Sequence, residues 1–444
     1  MSKEKVPLRA EISYAAVTLG STTIWSFLSG WLLYFYMPPD DHPLVPAALY
    51  GGAMFATRAL DALVNPPIGY LSDHTRSRWG RRLPFMFAAA LPMLVFFVLL
   101  WTPPVDGESI WNLVYLVVIL ELYSIAYSFV QIPYSALLPE LAPDDRCRVR
   151  IAAWSSAFQM VALILGGLAG MAIERAGYTG AALLYAGIAL PLFYLPLLVL
   201  RERPGRQIAA DQRLSFRNSL RVTLQNRAFL IYAATWALYW TTMAFVQSSI
   251  PFIATEVCLL STADTMYFYI PAVLTSLLCY PALTWLVGRL GKRTVYSGSL
   301  LASTLALPAA AFIGPWLPIP LKAQGIAWAI LQAVALSGAA MLPPAFAAEI
   351  ADHDEALTGQ RREGAYYAVW GLLDHVVGGA AAAALPLLLL LGRSRLDPHG
   401  PLGVRMVGII GGILMLAAFL IFQRYPLRAG VAEPQEVLGS EAGL

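Results

Sequence analysis

Apolar runs long enough to cross a bilayer as single helices, about 20 residues each, recur along the chain between short polar segments. They fall near 12–36, 45–72, 83–102, 110–138, 151–173, 179–200, 228–256, 264–288, 295–314, 322–348, 365–392 and 402–424, which predicts twelve transmembrane helices. A transmembrane barrel is excluded, because its strands are about 10 residues long with strict alternation. The chain opens with MSKEK, and no small-residue cleavage site follows the first apolar run, so that run reads as a retained span and not a signal peptide.

Charge placement orients this pattern. With the N-terminus inside, 24 of the 30 lysines and arginines fall in cytoplasmic segments. The positive-inside rule then puts both termini in the cytoplasm, with the protein in the cell (inner) membrane. The longest basic segment, 201–227, carries seven arginines and divides the chain into an N-terminal six-helix half (1–200), a cytoplasmic linker (201–227), a C-terminal six-helix half (228–424) and a cytoplasmic tail (425–444). Two echoes support an internal repeat: RSRWGRR at 76–82 with GRLGKR at 288–293, and ELAPDD at 140–145 with EIADHD at 349–354. Halves repeated about an axis along the membrane normal resemble the major facilitator architecture. The expected fold is an all-α membrane protein of major facilitator type, twelve transmembrane helices in two pseudo-symmetric six-helix halves.

Composition narrows the function classes. The chain has 444 residues, 58% hydrophobic and only 13% charged, with a mean hydropathy of +0.62. A soluble globule needs about twice that charged fraction. The three cysteines are far apart and lack metal-ligand spacing, so neither a disulfide framework nor a zinc site is expected. No nucleophile and base set falls within the spans, and four of the five histidines lie in loops, so an enzyme is not expected. The basic linker has no base-readout or phosphate-loop motif, so nucleic acid is not an expected partner; anionic lipid headgroups are.

The polar exceptions inside the spans carry the chemistry. Arg58, Asp61 and Asn65 recur at i, i+3 and i+7 and share one face of the second span. A charge at the bilayer centre costs about 2.5 to 3.5 kcal/mol on insertion scales, so this face must turn inward and pair. In the fourth span Glu121, Ser124, Ser128, Gln131 and Ser135 step by three and four residues, a polar stripe expected to face a central cavity. Asp374 and His375 are adjacent in the eleventh. Asp61, Glu121 and the Asp374-His375 pair are candidates for proton coupling, since histidine changes charge near neutral pH. The alternative is that Arg58-Asp61 and Asp374-His375 are structural pairs and Glu121 reaches the outer interface.

The pattern R-x-x-D-A-x-x-N-P-x-x-G-x-x-S-D at 58–73, continuing TRSRWGRRLPF, resembles the second-span signature of the glycoside-pentoside-hexuronide:cation symporters, the melibiose permease group of the major facilitator superfamily. Ile132-Pro133-Tyr134-Ser135 with Leu138-Pro139-Glu140, Asn226 to Leu230, Glu349 to Asp352, and Thr358 to Gly364 fit the same family, so the likeness runs along most of the chain. The resemblance implies a secondary transporter of sugars or glycosides that works by alternating access and couples to Na+ or H+. It also implies residue roles. The family's two second-span aspartates correspond to Asp61 and Asn65, its fourth-span aspartate to Gln131, and its eleventh-span lysine to His375. Replacing two carboxylates by amides weakens a hard-cation cage. A proton is therefore the expected coupling ion ahead of sodium, with Asp61, Asn65, Glu121, Gln131, Asp374 and His375 as the coupling set.

Sugar sites combine aromatic rings with amide and carboxylate groups. The expected substrate-binding residues are Thr22, Trp25, Ser26, Arg58, Asp61, Ser128, Trp154, Gln159, Trp236, Tyr239, Trp240, Trp370 and His375. Thr22 stands where the melibiose permease group has a sugar-gripping aspartate, and the fifth span has no counterpart of its arginine around Ala153. Both differences count against a melibiose-type galactoside and leave room for a less polar glycoside or an amphiphile such as a lysolipid. A non-transporting sensor or assembly factor is the remaining class, and it would not need four ionisable groups inside the membrane. Asp73, Arg76, Arg81, Arg82, Arg146, Glu349, Asp352, Arg361 and Arg362 are expected to form a cytoplasmic gate of ion pairs across the halves. The protein is expected to be monomeric, with a small-molecule substrate and membrane lipids as partners and no cofactor beyond the coupling ion.

Overall fold

The computed structural model describes residues 7–39, 42–75, 77, 80–142, 145–200, 226–358, 363–389, 391 and 402–426. The first half comprises α1 (Leu8–Tyr36), α2 (Ala47–His74), α3 (Leu83–Leu99), α4 (Ile110–Leu141), α5 (Asp145–Gly167) and α6 (Ala169–Val199). The second comprises α7 (Arg227–Phe252), α8 (Met266–Leu290), α9 (Lys292–Ala306), α10 (Leu321–Met341), α11 (Pro343–Thr358), α12 (Glu363–Leu389) and α13 (Leu402–Phe422). Among the described residues eight segments are long and apolar enough to cross a membrane on their own, and α3 and the Leu389 end of α12 are shorter apolar helices.

Local chemistry sets several boundaries. Ser109 caps α4 by accepting from the Trp111 amide at 3.2 Å, and Asn226 caps α7 by accepting from the Phe229 amide at 3.1 Å. The apolar runs 151–173 and 179–200 meet at Gly177, whose φ of 69° reverses the chain where a side chain would be strained. The helix entering that turn breaks once at Leu168, so the first turns of α6 prolong α5. The run 322–348 is likewise broken, with α10 ending at Met341 and Pro343 opening α11, because a proline has no N–H to continue the ladder.

Packing repeats between the halves. In the first, α1 lies on α5 and α6, α2 on α4, and α3 on α4 and α6; in the second, α7 lies on α12 and α13, α8 on α10, and α9 on α10 and α13. Matching α1–α6 with α7, α8, α9, α10, α12 and α13 carries one pattern onto the other. The crossings obey the same relation: α2 packs on α12, α5 on α8, and α1 on α7.

Two aromatic clusters brace the halves at opposite ends. Phe27, Phe35, Trp101 and Tyr178 interlock near the face away from the N-terminus, the distal face, where Trp101 and Tyr178 stack at 5.8 Å. Tyr296, Phe346, Phe422 and Tyr425 interlock near the face that carries the N-terminus. Tyr425 is fully buried and donates to Glu349 Oε2 at 3.2 Å, so the boundary expected at 425 falls inside the C-terminal bundle. Burial and the Glu349 carboxylate both hold its hydroxyl protonated, pushing its pKa up.

Among the described residues, contacts between the halves concentrate at the middle and the distal face. Gln247 Nε2 donates to Ser29 Oγ at 3.1 Å, Ser248 Oγ to the Ser29 carbonyl at 2.8 Å, and Tyr34 OH to Thr255 Oγ1 at 3.2 Å. Glu174 Oε2 accepts from the Ala263 amide at 2.8 Å. Glycines bring backbones together: a Cβ on Gly51 would stand 2.5 Å from the Ala383 carbonyl oxygen, and one on Gly170 would overlap that of Thr262. On the other face α4 lies along α2 and α3, and α11 along α7 and α10, each against helices of its own half.

Candidate functional site

A cavity of about 190 Å3 opens between α1, α2, α4, α7 and α12, and the charged face of α2 forms one wall. Arg58 and Asp61 line it with Trp25 and Ser29 from α1 and Ser124 and Tyr127 from α4. The helical spacing aims both α2 side chains at the chamber. Asp61 is nearly buried, its carboxyl 6% exposed, and accepts a short hydrogen bond from Ser124 Oγ. Arg58 stays 51% exposed, with Nη1 3.8 Å from Asp61 Oδ2. Its charge also acts on Tyr123 and Tyr127, which stack at 6.0 Å on α4.

One helical turn on from Asp61, Asn65 crosses to the other half. Its Nδ2 lies 3.0 Å from His375 Nε2 on α12, and its Oδ1 is buried without a partner. His375 interacts electrostatically with Asp61 and Arg58, and Glu121 with Asp61. The coupling residues expected from α2, α4 and α12 therefore converge. Glu121 is half-buried and Oε2 makes no hydrogen bond. Among the described coupling residues only Asp61 lines this chamber; Asn65, Glu121, Gln131 and His375 line neither it nor the one described below, and Gln131 Oε1 is buried and unpartnered. The α4 stripe thus faces the chamber only in part, since Ser128 is buried and Ser135 is exposed, bonded back to the Ile132 carbonyl.

Other residues singled out from the sequence are placed differently. Ser26 and Tyr239 line a separate, apolar cavity. Trp236 stacks against Tyr232 and Tyr239 in an aromatic column with Trp240. Thr22, Trp154, Gln159, Trp236 and Trp240 line neither cavity; Trp154 packs on Phe158 at 6.3 Å. Of the gate residues, Glu349 accepts from Lys292 at 3.0 Å and Arg82 donates to the Ala136 carbonyl, both within one half. The side chains of Asp73, Arg76, Arg146, Asp352, Arg361, Arg362, Trp370 and Asp374, and most of the linker, lie outside the described residues.

The structure adds a pair that sequence spacing does not reveal. Glu11 on α1 is 2% exposed and bound by Arg150 of α5 through Nη2 at 2.5 Å and Nε at 3.1 Å, with Cys147 Sγ 3.7 Å away. The partners are 139 residues apart, and each alone looks like an ordinary charge at a helix end. Its hydropathy offers one hint, since Glu11 opens an apolar run directly.

A two-half helical bundle with ionisable groups meeting around a mid-bundle chamber, one half bonded to the other through that cluster, defines a membrane carrier. The family described as MFS/sugar transport protein matches residues 13–429, and the chain belongs to it. It is 26% identical to an uncharacterized symporter of Synechocystis sp., covering 85% of this chain and 84% of that one. It is 24% identical to a glucuronide carrier protein homolog of Escherichia coli (96% and 93% covered) and 27% identical to an isoprimeverose transporter of Lactiplantibacillus pentosus (68% and 64%). Solved structures share the fold: the nucleoside transporter NupG in a D323A form matches with a TM-score of 0.66 at 13% identity, over 93% of this chain and 99% of that one. A bacterial homolog of the human lysosomal transporter Spinster, inward-facing and occupied, matches with 0.65 at 12%, over 94% and 95%. The protein is an all-α membrane transporter of the major facilitator fold, with twelve membrane helices in two pseudo-symmetric halves.

Proposed function

We propose that this protein is a secondary active symporter that carries a sugar or glycoside across the cell membrane by alternating access, driven by protons rather than sodium. The observation that carries the reading is the bond between Asn65 on α2 and His375 on α12, within the field of Asp61. A coupling site must sense the relation between the halves, and this one bridges them. When Asn65 Nδ2 donates, His375 Nε2 must be unprotonated. A proton on Nε2 demands an acceptor there, which the free Oδ1 of the same amide supplies after a flip. The bridge therefore has a partner whether or not Nε2 carries a proton.

Arg58, Asp61, Ser124 and the aromatic walls offer the donors, acceptors and apolar faces that a sugar ring uses, and an isoprimeverose transporter and a glucuronide carrier protein homolog among its relatives favour the same substrate class. With both termini cytoplasmic, the distal face is the outside. The contacts there then suit a carrier closed to the exterior, with the opposite closure assigned to the cytoplasmic residues Asp73, Arg76, Arg81, Arg82, Arg146, Glu349, Asp352, Arg361 and Arg362.

Purified protein in proteoliposomes tests this reading. Uptake of labelled sugars is expected to follow an imposed pH gradient, to be indifferent to sodium, and to lose its pH drive in Asp61→Asn. Sodium-driven uptake, or full pH-driven uptake by Asp61→Asn, overturns it.

A further inference from the structure

Next to the polar chamber lies a second cavity of about 210 Å3, between α1, α5, α7, α8 and α10, with the opposite chemistry. Met160, Leu163, Met243, Val246, Ile250 and Val273 make up much of its wall. Three of the six hydroxyls at its edge are already committed. Ser26 Oγ donates to the Thr23 carbonyl at 3.1 Å, Ser337 Oγ to that of Ala333, and Tyr269 OH to that of Gln247 at 3.1 Å. The Gln247 amide donates to Ser29. A sugar ring carries hydroxyls around its whole rim, whereas the polar groups that remain here, Tyr239, Ser276, Tyr280 and Gln332, come from three separate helices of a mostly apolar wall. An apolar cavity of about 150 Å3 stays dry and takes benzene, so this larger one suits a ring or a short alkyl chain.

Its position ties it to the first chamber. Both cavities flank the same contact between α1 and α7: Ser29 and Ser248 face the polar chamber, whereas Ser26 and Gln247 face the apolar one. One turn below Ser29 on α1, and two turns below Gln247 on α7, Trp25 and Trp240 remain 38% and 37% exposed. A bond joining sugar to aglycone would pass this contact on its N-terminal side, where Trp25 lines the polar chamber and Tyr239 the apolar one. We infer that the apolar cavity receives the apolar substituent of the carried glycoside, an aryl ring or short alkyl aglycone, while the sugar occupies the chamber of Arg58 and Asp61. This rests on the sugar reading above and deepens it. The two methionines let the wall adapt to aglycones of different shape.

Thermal stabilisation of the full-length protein in lipid nanodiscs tests the inference, with alkyl glycoside detergents excluded because they would occupy the cavity. Methyl, phenyl and hexyl glycosides of glucose, galactose, xylose and glucuronic acid are titrated as matched sets. For the sugar that binds, the phenyl or hexyl compound is expected to bind about ten-fold more tightly than the methyl compound. Filling the cavity with Ala333→Phe, or with Val273→Trp where the first variant is poorly folded, is expected to remove that advantage and keep methyl glycoside affinity. Equal binding of methyl and phenyl glycosides overturns the inference while the sugar reading stands, as does a filled variant that weakens both equally. Stabilisation by phenol, hexanol or a lysophospholipid with none by any methyl glycoside overturns the sugar reading and the aglycone assignment together. No stabilisation by any of these compounds removes the cavity as a binding site.

Discussion

The two halves share a packing plan and divide its chemistry. The first keeps Arg58, Asp61, Asn65, Glu121 and Gln131 within its spans, whereas the described side chains of the second bring His375 to Asn65, the uncharged Gln247, Ser248 and Gln332, and aromatic bulk such as the Tyr232, Trp236 and Tyr239 column. Duplication fixed the helix arrangement without fixing what each copy does. One half can hold the coupling charge while the other shapes the cargo surface. Substitutions should therefore separate by half, those in the first disturbing energy coupling and those in the second disturbing selectivity.

The largest expected effect concerns how each half is pinned at the N-terminal face. Arg150→Ala leaves the buried Glu11 without its partner and is expected to cost about 3 to 5 kcal/mol, read as a large fall in melting temperature. Glu11→Ala should cost less, because Arg150 is already 54% exposed and can turn to water. Equal losses from the two would contradict this account of burial.

Next in size, Asp61→Asn is expected to lower pH-driven accumulation on the order of 100-fold, the scale of a full coupling energy. Gln332→Leu, in the wall of the apolar cavity, should leave the ratio of driven to undriven uptake unchanged. If both variants uncouple transport, the division of labour between the halves is wrong. Gly170→Ala is smaller: its Cβ would overlap the Thr262 carbonyl oxygen, so the distal closure must loosen. Labelling of a cysteine introduced at Ser248 should rise about ten-fold, and an unchanged rate would exclude this contact as part of the seal. The smallest effect belongs to Lys292→Ala. Its partner Glu349 keeps Tyr425 and is partly solvated, so the loss should be about 1 kcal/mol or less in the same melting assay.

Much of this arrangement is legible in the sequence because lipid enforces it. Apolar runs mark the spans, and the glycine between runs 151–173 and 179–200 marks a real reversal. Arg58, Asp61 and Asn65 announce a shared face by spacing alone, and the structure brings His375 to that face. What stays hidden depends on contacts between distant segments. Nothing near Glu11 points to Arg150. The apolar cavity is invisible for a different reason: Met160, Met243 and Val273 read as packing, and only their failure to meet reveals the void. Trp154 and Gln159 line neither cavity, and sequence alone does not distinguish them from residues that do, since an aromatic or an amide in a span suggests a ligand wherever it points. The α4 stripe reaches the polar chamber at Ser124 and not at Gln131, because a long helix touches different neighbours along its length.

The glycine contacts of the distal face have a mechanical consequence. Where Gly51 meets Ala383 and Gly170 meets Thr262, main chain rests against main chain with no side chain between them to rotate aside. Such a seam has no partly open setting reached by rotamer changes. It must part by a swing of whole helices, so passage through the distal side should behave as a single stiff door with one barrier and not as a graded aperture.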